Sequence, residues 1–203
     1  MNDQARQTAF MSALTTEHFV LQSAASTTVS EAAARATLYV FSLSSSLVAM
    51  GFAAQTPGAF APFVATIIPA MFVLGIFTVV RLVDTGIENW RSLNAMRRIR
   101  HYFRGLTPEA APYFSVWGET EAAEALNLEV PTREPLVLLF TAASMVAAIN
   151  SIVGGAGVAL LAVAMLGRER MLLCVLFGLA AAAIAMGVFW IYQGHRYRVQ
   201  AMH

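Results

Sequence analysis

Residues 59–104 read AFAPFVATIIPAMFVLGIFTVVRLVDTGIENWRSLNAMRRIRHYFR. The stretch is apolar to Val83 and then becomes charged without losing helical spacing. A bilayer-crossing helix takes about 20 apolar residues, and 59–83 supplies them. Beyond it, Arg81, Asp84, Glu88 and Arg91 fall three and four apart, so they share one helical face. Ile87, Trp90, Leu93, Met96, Ile99 and Phe103 continue an apolar stripe at the same period. The pattern predicts one helix that leaves the membrane and runs on to about Arg104, where Gly105 is a natural stop. Thr107 and Pro108 then read as the start of a further short helix.

The composition agrees. The 203 residues are 58% hydrophobic and 12% charged, with a mean hydropathy of +0.62. A soluble domain is about a quarter charged, so the chain reads as an all-α integral membrane protein. Three more runs have spanning length: 36–55, a 32-residue run from about Pro135 to Leu166, and 171–192. The first two spans are joined by QTPG and the last two by GRER, which predicts two helical hairpins. The expected organisation is an N-terminal helical segment 1–35, a hairpin 36–83, a loop 84–134, a second hairpin 135–193 and a tail 194–203. Gly154, Gly155 and Gly157 interrupt the long third run, so its helix either bends there or ends there.

All thirteen basic residues are arginines. With both termini cytosolic, eleven of them lie inside and only Arg168 and Arg170 outside. The positive-inside rule then places both ends in the cytosol, in a bacterial cytoplasmic (inner) membrane. Thr28-Val-Ser-Glu31 matches a capping box, predicting that a helix starts there and enters the first span. Upstream, Phe10, Leu14 and Leu21 recur at roughly helical spacing.

Arg97, Arg98, Arg100 and Arg104 are where topology alone expects arginines, and membrane lipid headgroups are a further reading. Nucleic acid is not expected. The acidic residues Glu119, Glu121, Glu124, Glu129 and Glu134 follow closely, and phosphate binding needs a net basic face.

Within the spans, Ser42, Ser45 and Ser46 line part of one face of the first. Such a face either packs closely or lines a watery path. Pro69 removes an amide in the second span and leaves the Ala65 carbonyl without its donor, predicting a kink or gate. Thr66 is placed to rescue that carbonyl or to bind a ligand. Asn150 is the one strongly polar candidate in a span core. These residues, Ser42, Ser45, Ser46, Thr66 and Asn150, are the pore-lining candidates. Ala143, Ala147, Ser151 and Gly155 repeat every four residues, as do Gly178 and Ala182, and such small faces let helices approach closely.

No Asp, Glu, Lys or His falls in a span core, which argues against proton coupling. The four histidines lack metal-ligand spacing, and no nucleotide or nucleophile motif occurs. No enzyme, cofactor or metal is expected. The layout of 36–104, a short hairpin whose second helix continues into a basic helix, resembles the SLATT-type small membrane proteins of bacterial defence and nucleotide signalling. The resemblance covers about a third of the chain and leaves the second hairpin outside it. As a whole the sequence looks like a bacterial four-span membrane protein. The resemblance implies an oligomeric pore former; no site residue is carried over from it. The Ser42, Ser45 and Ser46 stripe, Pro69 and the small-residue faces that allow subunit packing make a homo-oligomeric channel the expected function. The alternative is a membrane scaffold that binds a protein or lipid through 84–134.

Overall fold

The structure, a computed structural model, describes residues 3–106, 109 and 141–201. Thr107, Pro108, the acidic run from Glu119 to Glu134 and the segment from Pro135 to 140 lie outside the described residues. What is described is helical: α1 (Asp3–Gln55), α2 (Phe60–Arg104), α3 (Ala142–Leu166), a single 3-10 turn (Arg168–Arg170) and α4 (Met171–Ala201). All four α-helices are long and apolar enough to cross a membrane.

Two compact units divide these helices. The first takes 3–31 of α1 and 85–104 of α2. In it α1 buries one stripe, wholly or in part, at Met11, Leu14, His18, Leu21, Ala25 and Thr28. The steps alternate three and four, which is the heptad seam of a coiled coil. The facing stripe of α2, Thr85, Asn89, Ser92, Met96, Ile99 and Phe103, keeps the same alternation. Thr28 Oγ1 lies 3.3 Å from Asn89 Oδ1, and the Phe10 and Tyr102 rings meet edge to face at 5.5 Å. Low numbers on one helix meet high numbers on the other, so the two run antiparallel.

Two sequence expectations are corrected here. Thr28 does not start a helix: α1 is continuous from Asp3, and the Thr28 hydroxyl reaches the Ala25 carbonyl at 2.7 Å. A capping box needs a non-helical residue at its head, and nothing upstream of Thr28 breaks the helix. Phe10, placed on the apolar stripe by its spacing, lies 49% exposed at the edge of the seam. Met11 and His18 occupy the inner line instead.

The second unit takes 32–84 and 141–201. Here α3 is the central helix. Thr141 caps it, accepting a hydrogen bond from the Ser144 amide at 3.2 Å. It runs without interruption through Gly154, Gly155 and Gly157 to Gly167, whose φ of 81° ends it. The glycines leave room for neighbours. A Cβ on Gly154 would sit 2.6 Å from the Phe72 ring, and one on Gly157 would sit 2.9 Å from Ile68. Pairing 72 with 154 and 68 with 157 sets α2 and α3 antiparallel. On its other side α3 meets α4 backbone to backbone: a Cβ on Gly155 would lie 2.5 Å from the Gly178 carbonyl oxygen, and one on Gly178 2.6 Å from that of Gly155. Small residues substitute for the hydrophobic effect, which cannot drive association among lipid tails.

Helix α4 continues to Ala201, well past the expected span end at 192, so the tail expected at 194–203 is helical as far as Ala201. α2 ends at Arg104, where the Gly105 amide donates to the His101 and Tyr102 carbonyls at 3.2 and 3.1 Å.

Candidate functional site

The polar side chains of the second unit gather in three places. The deepest joins three helices. Asn150 of α3 is 6% exposed and Tyr39 of α1 is 1% exposed; the Tyr39 hydroxyl donates to Asn150 Oδ1 at 3.2 Å. On α2 the position facing Asn150 is Gly75, where a Cβ would fall 2.0 Å from that same oxygen. The amide therefore occupies a notch that only glycine leaves. Buried polar groups need partners, and Tyr39 satisfies this one within the chain.

The second cluster lies at the start of α3. Gln193 of α4, 1% exposed, donates through Nε2 to Thr141 Oγ1 at 3.3 Å. The Ser144 hydroxyl lies 3.5 Å from Gln193 Oε1 and 2.9 Å from Thr141 Oγ1. The third is an ion pair between Asp84 of α2 and Arg196 of α4. Both partners are partly exposed, and the Arg196 Nε is buried without a partner among the described residues.

The other candidates are dispersed. Ser42 and Ser46 lie half-buried on the inner side of α1, and their hydroxyls donate to the carbonyls of Leu38 at 2.8 Å and Ser42 at 2.7 Å. Ser45 is exposed. Thr66 and Pro69 are exposed on α2, which is helical through the proline. The Thr66 hydroxyl does not serve the Ala65 carbonyl. It reaches those of Pro62 at 3.1 Å and Phe63 at 2.9 Å, one turn back, which is where a helical threonine finds acceptors.

Ala143, Ala147, Ser151 and Gly155 are all buried, and Ala182 faces Gly155, its Cβ 2.9 Å from where a Cβ of that glycine would be. Ser151 donates to the Ala147 carbonyl at 2.8 Å. Arg97 and Arg98 are exposed, and Arg100 and Arg104 half-buried, in the first unit. Among the described residues no cluster of three or more His, Cys, Asp and Glu could hold a metal.

Comparison with protein families, with characterised proteins and with solved structures finds no match.

Spacing within single helices did not reveal Tyr39, Gln193 or the Asp84–Arg196 pair, because each depends on a partner from a distant helix. A signal was present for Gln193: a glutamine one residue past an apolar run, on the side of α4 that also carries Cys174, Gly178 and Phe189, all buried. In the first unit, His18 is the seam residue that spacing passed over. It is half-buried, and its Nδ1 is buried without a partner among the described residues. Burial, and second to it the positive charge of Arg100, lower its pKa from the ordinary 6.5.

Proposed function

We propose that the chain is a multi-pass protein of a bacterial cytoplasmic membrane, with both termini in the cytosol, and that it acts as a homo-oligomeric channel without proton coupling. The path runs between copies and not through one chain. The observation that carries this reading is the surface the chain leaves uncovered. Of the most apolar window in each helix, 6, 22, 28 and 17% is buried inside the chain, in chain order. α1 is the least covered, and Ser45 is exposed on it. Inside the unit, by contrast, the Tyr39–Asn150 and Thr141–Ser144–Gln193 groups are spent on one another. The exposed faces of α1 and of α2, with Ser45, Thr66 and Pro69, are the ones available to a neighbouring copy.

The arginine distribution supports the orientation, and absence of intramembrane carboxylates supports passive conduction. The test is twofold. Purified protein in detergent should sediment as a defined oligomer, and the same oligomer in liposomes should pass ions down an imposed gradient. A strictly monomeric protein, or tight liposomes carrying verified oligomer, defeats the reading.

A second reading, a membrane scaffold, is favoured by the first unit. Phe19, Val20 and Val29 are 64, 56 and 58% exposed there, outside the seam. In that case a partner protein recovered with the full chain is lost when Phe19 and Val20 are replaced by Ser, while oligomer size stays unchanged.

A further inference from the structure

We propose that His18 makes the pairing of residues 3–31 with 85–104 sensitive to pH: the seam holds with a neutral imidazole and loosens when the ring takes a second proton. The placement carries this. His18 is the only titratable residue in the α1 stripe of Met11, Leu14, His18, Leu21, Ala25 and Thr28. Its neighbours on that stripe are apolar or small and the ring is half-buried among them, so an imidazolium is solvated less well there than in open water.

Among the described residues the charges around it do not compensate. Across the seam, the α2 group acting on it is the Arg100 guanidinium. Elsewhere on that segment Glu88, Arg91, Arg97, Arg98 and His101 are exposed and Arg104 is half-buried. On its own helix Glu17 is adjacent but exposed, and successive helix residues point about 100° apart. Glu31 lies more than three turns away. Nδ1 is buried without a partner among the described residues, so a proton placed there gains no acceptor. His101 and His195 are exposed. Of these three, His18 alone lies in the seam, half-buried.

The direction of the effect follows by linkage. A histidine whose folded pKa lies below its unfolded value binds fewer protons folded than unfolded. Pairing is therefore fully supported above pH 6.5, the unfolded value, and support is lost as the pH falls below it.

The experiment is hydrogen–deuterium exchange read by mass spectrometry on the full-length protein in nanodiscs, from about pH 7.5 to 5.5, with uptake corrected for the intrinsic pH dependence of exchange. In the wild type, exchange of 3–31 and 85–104 should rise several-fold on acidification while α3 and the membrane part of α4 stay constant. His18→Gln and His18→Leu should both abolish the rise, the leucine variant with greater protection throughout. Arg100→Gln, which removes the facing charge, should keep the rise but weaken it. A wild type with no rise, a rise shared equally by α3, or a rise that persists in both His18 variants overturns the proposal.

Discussion

The contact between α3 and α4 offers a test in which the sign of the effect is decisive. Replacing Gly155 by Ala adds one methyl group. On an open helix face that change removes the entropy penalty of glycine and stabilises by about 0.5–1 kcal/mol. At Gly155 the new Cβ would stand 2.5 Å from the Gly178 carbonyl oxygen and 2.9 Å from the Ala182 Cβ. An unstrained contact is 3.4 Å or more, so the helices must separate by about 0.9 Å (3.4 less 2.5). The obstacle is backbone and cannot rotate away. Overpacking of this kind costs about 1–3 kcal/mol, which leaves Gly155→Ala destabilising by up to about 2 kcal/mol after the propensity gain.

Gly187 of α4 is the internal control. Nothing lies within 4 Å of a Cβ built there, so Gly187→Ala should be neutral or stabilising by up to about 1 kcal/mol. Reversible unfolding in mixed detergent micelles, followed by far-UV ellipticity, measures both. The expected gap between the two variants is about 1–3 kcal/mol. If Gly155→Ala is as stable as Gly187→Ala, the backbone contact between α3 and α4 is not where the structure has it. Sedimentation of each variant checks that the change is within one chain.

Three further outcomes follow from other features. In a double-mutant cycle of Tyr39→Phe and Asn150→Ala, each single change should destabilise, and the coupling energy should be about 0.5–2 kcal/mol, the range for hydrogen bonds between helices in a membrane. Asp84→Asn and Arg196→Gln should each cost no more than about 1 kcal/mol, with part of it erased by salt in the same denaturation assay, because both side chains are partly exposed. Gly167→Ala should lower thermal stability by about 1–2 kcal/mol, since φ is 81° there and a Cβ is strained in that region; Gly167→Asn should lose less.

Runs of apolar residues were enough to read the helices, since length and hydropathy are properties of a single segment. The extension of α2 to Arg104 was legible for the same reason: its stripe and the glycine that ends it are local. Local signals also misled. Thr28 has the sequence of a helix start, but the helix already runs upstream, so the motif becomes part of a seam. Three glycines in the third run suggested a bend or an end; the helix does not end there, and the three are contact points against Phe72, Ile68 and Gly178. The seam itself was half legible. Met96, Ile99 and Phe103 were in the apolar stripe, while His18, Asn89 and Ser92 were not, because a hydrophobic pattern passes over polar residues even where they are half-buried. Tyr39 and Asn150 needed the tertiary fold, since they are 111 residues apart in the chain.

The central position of α3 bears on how the protein is made. Tyr39 and Gly75 both wait for Asn150, and Phe72 and Ile68 wait for Gly154 and Gly157. None of these partners exists while the ribosome is still extending the chain through α1 and α2. Those two helices, each long and apolar enough to cross a bilayer, are therefore synthesised before the residues they close on. A chain stopped before Ala142 would leave the Tyr39 hydroxyl without its Asn150 acceptor and the Gly75 notch without the side chain that fills it.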